Sequence, residues 1–298
     1  MQINRCADIM SSSLRHYSAY AKINLGLRIL GRREDGYHEL ETIFQQISVR
    51  DVLTVAAQPD GIVVGCSDPA IPVDEGNLAW RAAALLRQRA GVTRGCNIQI
   101  QKNIPVGAGL GGGSSDAATT LMALNRIWEL HWPLPQLMPL AAELGSDVPF
   151  FLLGGSALGR GRGEILTPLQ IPQEWWGVLL YPNLPISTRW VYENATFNLT
   201  KSLKNSKFYS LTSFAERLSD WDLHLANDLE PVVFNRYPHL MELVEGFRRK
   251  GAFYARMSGS GSALFGLFLD KSDALNALAG TRQEHTTFLF HPIAPREE

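Results

Sequence analysis

Between Gly107 and Gly113 five of seven residues are glycine, with a strand-like segment before them and a helical one after. The full run reads Pro105, Val106, Gly107, Ala108, Gly109, Leu110, Gly111, Gly112, Gly113, Ser114 and Ser115. Glycine lets the backbone approach a ligand closely and turn its amides inward. A helix starting at Ser114 and Ser115 adds unpaired N–H groups and a positive dipole end. Together these make an anion cradle, best suited to a polyphosphate. A flexible connector is the alternative, but connectors tend to mix in acidic or proline residues and need not open a helix.

Two common phosphate loops do not fit. The Walker pattern is absent, because no lysine follows any of these glycines. A dinucleotide G-x-G-x-x-G match exists at Gly107, Gly109 and Gly112. That turn needs its first glycine at the strand end and an acidic residue about 20 positions on, ending a second strand. Here the segment 102–105 intervenes, and the only candidate acid, Glu129, sits in a helical pattern. No G-x-S-x-G elbow occurs, and the seven histidines show no H-x-x-x-H spacing, so hydrolase and zinc chemistry lack support.

Two charged residues stand in unusual settings. Lys22 and Asn24 share the polar face of an alternating segment, a place open either to chemistry or to simple solvation. Asp147 lies between Gly145 and the apolar run 148–153. It could be a carboxylate with a chemical task or the N-cap of a short helix.

The 105–115 run resembles the ATP-phosphate loop of the GHMP kinases. Residues 20–25 (YAKINL) resemble the family's amino-terminal motif, and 256–262 (RMSGSGS) its carboxy-terminal glycine-rich motif. Three motifs in the right order are strongly specific. Gly31 followed by 33–38 (REDGYH), together with 144–149 (LGSDVP), resembles one branch closely. That branch acts on a cytidine diphosphate-linked polyol in the non-mevalonate route to isoprenoids. The likeness runs from about Tyr17; the first sixteen residues and 200–215 carry none of it.

The resemblance implies a two-domain α+β fold with the active site in the cleft between domains. It also implies ATP-dependent phosphorylation of a substrate 2-hydroxyl, with ATP as co-substrate and Mg²⁺. Phosphoryl transfer needs in-line positioning, neutralised phosphate charge and a group taking the hydroxyl proton. By motif position Asp147 is the base and Lys22 the catalytic lysine, and Asn24 would orient the substrate hydroxyl. Tyr37 and His38 would meet the cytosine end, and Tyr192 would stack on the base, although core packing is the plain alternative for an aromatic there. Thr188 would be a polar substrate contact, and Lys102 would pair with the diphosphate. Gly259 and Gly261 would bring a second backbone turn to the site, or form a plain hairpin. Ser114 or Ser115 would touch Mg²⁺ through a hydroxyl; no other metal ligand is implied, and Asp116 reads as a first-turn helix acid. A mevalonate- or homoserine-type kinase and a non-catalytic nucleotide sensor are the competing readings.

The elements that must position these residues follow from periodicity. Ile23, Leu25, Leu27 and Ile29 alternate with polar residues, which predicts a half-buried strand over 20–30. Gly36 supplies a turn, and strands are expected over 41–49, 52–56 and 96–101. Asn77 should cap a helix carrying Leu78, Ala82, Leu85 and Leu86 and ending at Gly91. Helices are expected over 117–130, from Pro135 to about Gly145, and over 239–250 and 272–279; strands over 177–181, 253–257, 263–269 and 287–291. Residues 159–163 read as a hairpin or linker and 202–213 as a mobile polar loop. The expected organisation is an extension over 1–17, an N-terminal domain over 18–163 and a C-terminal domain over 164–298, with Met10 an alternative start.

Composition bounds the partners. With 298 residues, 45% hydrophobic and 19% charged, the chain can bury a sizeable core. A formal charge of −1 argues against general nucleic-acid or membrane-surface binding. Cys6, Cys66 and Cys96 form no disulfide framework, and no membrane-length apolar run or signal peptide is visible. The cytoplasm and a small-molecule substrate with a cytidine diphosphate moiety are the expectations.

Overall fold

The computed structural model describes residues 15–195, 217–281 and 285–295. The polar stretch 202–213 and the first fourteen residues lie outside the described residues.

The first sheet contains β1 (Arg15–Arg32), β2 (His38–Gln58), β3 (Ile62–Cys66), β4 (Gly95–Gln101), β5 (Ser156–Gly161) and β6 (Ile165–Pro168). Its order is β3-β4-β2-β5-β6, with β1 also on β2, and all pairings are antiparallel except β3–β4. Helices α1 (Leu78–Ala90), α2 (Gly112–Ile127), α3 (Leu134–Leu144) and α4 (Val148–Leu153) cover it through a core including Leu53, Leu86, Leu121 and Phe150. Asn77 caps α1 by accepting from the Ala79 amide at 2.9 Å, and Gly91 ends it at φ +64°, as expected.

The second sheet has the order β10-β7-β9-β8, from β7 (Trp176–Tyr181), β8 (Tyr254–Met257), β9 (Leu264–Phe268) and β10 (Thr286–Phe290). Around it lie α5 (Thr188–Asn194), α6 (Trp221–His224), α7 (Glu230–Arg236), α8 (Pro238–Arg249) and α9 (Lys271–Ala279). Alternation along β7 sends Leu179 to one side and Val178 and Leu180 to the other. Leu179, Phe265 and Trp175 join Ile23, Leu25 and Ile43 of the first sheet in one core between the two sheets. This is an α+β fold.

Three expectations change. The strand over 20–30 is buried on both faces, because the glycine loop covers its polar side: Lys22 is 4% and Asn24 3% exposed. Register shifts along β1 send Ile23 and Leu25 into the inter-sheet core but Leu27 and Ile29 into the second sheet's helical core. The expected boundaries also move. Residues 15–17 already pair with β2, the 163/164 break falls inside the β5–β6 hairpin, and 292–295 return to the first sheet through the Ile47–Pro292 and Gly154–Pro295 bridges. No helix among the described residues is long and apolar enough to cross a membrane.

Candidate active site

A cleft of about 1400 Å³ opens between the sheets. The loop residues 105–114 line it, with Lys102 and Asp147 from the first half and Thr188, Tyr192 and Ser260 from the second. Tyr37, His38 and Arg162 form a further wall. The sequence-predicted residues therefore converge, with Lys22, Asn24 and Ser115 just behind the surface.

The glycine loop is locked from behind. Gly109 has φ +78°, and a Cβ there would lie 2.2 Å from the Ser258 carbonyl oxygen. Gly111 has φ +71°, and its Cβ would meet the Phe151 ring at 2.7 Å. The Lys22 amide donates to Leu110 O (3.0 Å), the Ala263 amide to Ala108 O (3.1 Å) and Ser258 Oγ to Gly109 O (3.1 Å). Helix α2 begins at Gly112, earlier than expected, with no side chain over its first amides. Gly112, Gly113 and Ser114 line the cleft, so the start of α2 gives the anion cradle its positive end.

Asp147 does not cap the helix behind it. Its carboxylate turns to the cleft, with Oδ2 3.6 Å from Lys22 Nζ and one third of the side chain exposed. Lys22 Nζ donates to Asn24 Oδ1 at 2.7 Å and lies 5.3 Å from the centre of the Phe44 ring. Asn24 Nδ2 donates to Thr42 Oγ1 (2.8 Å), which donates to Gly26 O (2.7 Å). Each end of the Asn24 amide thus makes one bond, which orients the lysine and leaves a second N–H and a second lone pair of the amide uncommitted.

Two further residues have partners that the sequence did not show. Ser115 Oγ donates to Tyr20 O at 2.7 Å and is buried, so Ser114 supplies the loop's cleft-facing hydroxyl. Lys102 Nζ binds Asp51 and, at 2.8 Å, Asp116 Oδ2, with all three side chains almost wholly buried. Asp51 also accepts from the Asn103 (2.6 Å) and Ile104 (2.8 Å) amides. The ammonium expected to meet a diphosphate braces the strand before the glycine loop against α2, and Lys102 also lines the cleft. Asp116 is accordingly no exposed first-turn acid. Burial raises its pKa, the lysine pulls it back, and Oδ1 has no partner among the described residues.

On the opposite wall His38 stacks on Tyr192, with centroids 5.3 Å apart at 27°. Burial first, then the Arg32 charge, lower the His38 pKa. Burial first, then the Asp147 charge, raise that of the Tyr192 hydroxyl. Tyr37 is 57% exposed. Thr188 Oγ1 is 2.8 Å from Ser260 Oγ, tying α5 to the 258–262 turn. Asn227, missed in the sequence, anchors that turn from below by donating to Met257 O (2.9 Å) and Gly259 O (2.8 Å).

The chain is similar to known proteins in sequence and in fold. Residues 77–155 match the GHMP kinases N terminal domain and 211–284 the GHMP kinases C terminal domain. A 4-diphosphocytidyl-2-C-methyl-D-erythritol kinase of Chlorobium phaeobacteroides is 45% identical, over 94% of this chain and 99% of that relative. The chain belongs to the GHMP kinases. Within them it belongs to the 4-diphosphocytidyl-2-C-methyl-D-erythritol kinase family, since a Burkholderia mallei relative of that name is also 42% identical over 93% of this chain and 97% of its own. A crystal structure of 4-(cytidine 5'-diphospho)-2C-methyl-D-erythritol kinase superposes with TM-score 0.79 at 37% identity, over 93% of this chain and 99% of that one. A homoserine kinase from Cytophaga hutchinsonii shares the GHMP kinase fold, with TM-score 0.75 at 16% identity over 97% and 96% of the two chains.

Proposed function

We propose that this GHMP kinase transfers the γ-phosphoryl group of ATP to the 2-hydroxyl of 4-diphosphocytidyl-2-C-methyl-D-erythritol, in the non-mevalonate route to isoprenoids. The observation that carries this reading is the Lys22–Asp147 pair, 3.6 Å apart, between the glycine loop and the aromatic wall of one cleft. Asp147 takes the hydroxyl proton and the freed oxygen attacks the γ-phosphorus. The bond to the β,γ-bridging oxygen breaks, and ADP leaves. Lys22, held by Asn24, stabilises negative charge on the attacking oxygen. Loop amides and the α2 dipole hold the phosphates that do not react.

The donor set fits Mg²⁺, which keeps several waters and takes few protein oxygens. Ser114 Oγ, on the cleft surface, would contact it beside the nucleotide, where it would neutralise phosphate charge. Among the described residues no group of three or more His, Cys, Asp or Glu converges on a metal-sized site, in keeping with an ion held chiefly by phosphates. The free thiols of Cys66 and Cys96 accord with the cytoplasm.

A mevalonate or homoserine acceptor would leave Tyr37, His38 and Tyr192 without a base to recognise, and a passive sensor would not need both Lys22 and Asp147. The test is ADP release with Mg-ATP and four acceptors: 4-diphosphocytidyl-2-C-methyl-D-erythritol, mevalonate, homoserine and galactose. Release with the cytidyl compound alone is expected. Release with another acceptor would discard the cytosine site, and silence with all four while ATP still binds would discard the kinase reading.

A further inference from the structure

Positive charge in the cleft is unevenly engaged. Lys102 is bonded to Asp51 and Asp116, and Arg189 to Glu193 at 2.8 Å. The other two lining cations besides histidine, Arg32 and Arg162, flank the aromatic wall. Arg162 rises from the turn between β5 and β6, and its guanidinium carbon lies 4.9 Å over the Tyr37 ring. Its Nε is 3.9 Å from Glu164 Oε1, beyond hydrogen-bond reach. The bond it does make to Glu164, at 2.6 Å, comes from its backbone amide. Among the described residues its terminal nitrogens donate to nothing. Arg32, at the end of β1, pairs through its backbone with His38, and its side chain has no ion pair among the described residues.

The platform under Arg162 is fixed. The Tyr37 amide donates to Asp35 Oδ1 (3.1 Å), and its carbonyl accepts from the Arg33 amide (2.8 Å). A guanidinium held over an aromatic ring can still offer its terminal nitrogens, and their fork matches two oxygens of a phosphate. An aromatic wall with a free guanidinium edge beside it complements a nucleoside diphosphate, in which a flat base is followed, one sugar away, by adjacent anions.

We propose that Arg162, with Arg32 beside it, binds the diphosphate of the nucleotide-linked substrate while Tyr37 and Tyr192 hold the base. The proposal rests on the substrate reading above and sharpens it. Arg162 makes the cleft select a nucleoside diphosphate over the bare nucleoside, and the turn between β5 and β6 becomes a specificity element.

The test is calorimetric titration of CDP and cytidine into wild type, Arg162→Ala and Arg162→Lys, with the nucleotide site filled by a non-hydrolysable ATP analogue. Wild type should bind CDP more tightly than cytidine. Arg162→Ala should weaken CDP about 10- to 100-fold, the range for losing hydrogen bonds to a charged group, and leave cytidine within about threefold. Arg162→Lys, which keeps the charge but not the fork, should fall between them. CDP affinity in Arg162→Ala equal to wild type would overturn the proposal while leaving the substrate reading intact. Wild type binding neither ligand would overturn both.

Discussion

Lys22 is a cation held almost entirely out of water, and each group around it answers that cost. Asn24 presents a carbonyl at 2.7 Å, Phe44 a ring face and Asp147 a carboxylate at 3.6 Å. Desolvated charges of this kind persist where partners are fixed in advance, and the fixed partners aim the ammonium at the cleft. Asp147→Asn keeps the size and removes the proton acceptor. We expect kcat to fall by roughly 10² to 10⁴, the usual contribution of a general base, with ATP affinity within about threefold. Rapid-quench kinetics and nucleotide titration check this, and near-wild-type kcat would exclude Asp147 as the base. The pair was legible in the sequence because motif position and odd local setting agreed. Alternation placed Asn24 on the face of Lys22, but its bond to Thr42, on the neighbouring strand, was not legible. The ion pair of Lys102 was hidden likewise, since its partner Asp51 lies 51 residues away on β2. Sequence spacing shows which face a side chain takes; which partner it finds across the sheet depends on register.

At the scale of elements, the glycine loop is positioned by the 258–262 turn as much as by its own residues. Gly109 shows this most sharply, because its positive φ disfavours any L side chain and its missing Cβ leaves room for the Ser258 carbonyl. Gly107 also has positive φ, +67°, but open space around it. Gly107→Ala should therefore cost only the backbone strain, about 1 kcal/mol, whereas Gly109→Ala should cost at least about 2 kcal/mol more and abolish ATP binding. Denaturant melts of the two variants side by side, with ATP titration, make the comparison; equal losses would mean that the turn does not brace the loop. The motif made the glycines visible, but the reason for Gly109 lies 149 residues onward. Elements with strong periodicity, such as α1, α8 and β7, were legible within a residue or two. β3 and β5 were not, because each is short and has no clean alternation. β2 was read as two strands because Arg50 and Asp51 interrupt its apolar pattern; Asp51 is buried there as the anchor of Lys102.

The whole molecule is held together by a core that both sheets share, and the cleft is the seam above it. Tyr254 Oη donates to Leu25 O, and the Leu27 amide to Ala226 O (2.9 Å), so β1 is bonded to the second half as well as to the first. Glu230 stands at the base of this seam. One of its carboxylate oxygens accepts from the Met257 amide at 2.8 Å, directly before the 258–262 turn. Burial pushes its pKa up to about 7, against the pull of that hydrogen bond and of Arg256. The folded protein therefore holds this proton more tightly than the unfolded chain, whose glutamates titrate near 4.3. The stability it brings is complete below the unfolded pKa and is lost as pH rises towards 7. Because Glu230 is partly exposed at its edge, we expect about 1–2 kcal/mol rather than the full linkage value, or a few degrees in Tm. Glu230→Gln keeps the acceptor for the Met257 amide and removes the titration. Melts from pH 5 to 8 should show wild type losing stability relative to Glu230→Gln, with the gap opening between pH 5 and 7. Parallel curves would mean that the carboxyl is already ionised at pH 5 and that the Met257 hydrogen bond and Arg256 outweigh its burial. A gap that opens would mean that the seam bracing the phosphate loop carries a proton at mildly acidic pH, and that the fold loses stability as this proton leaves.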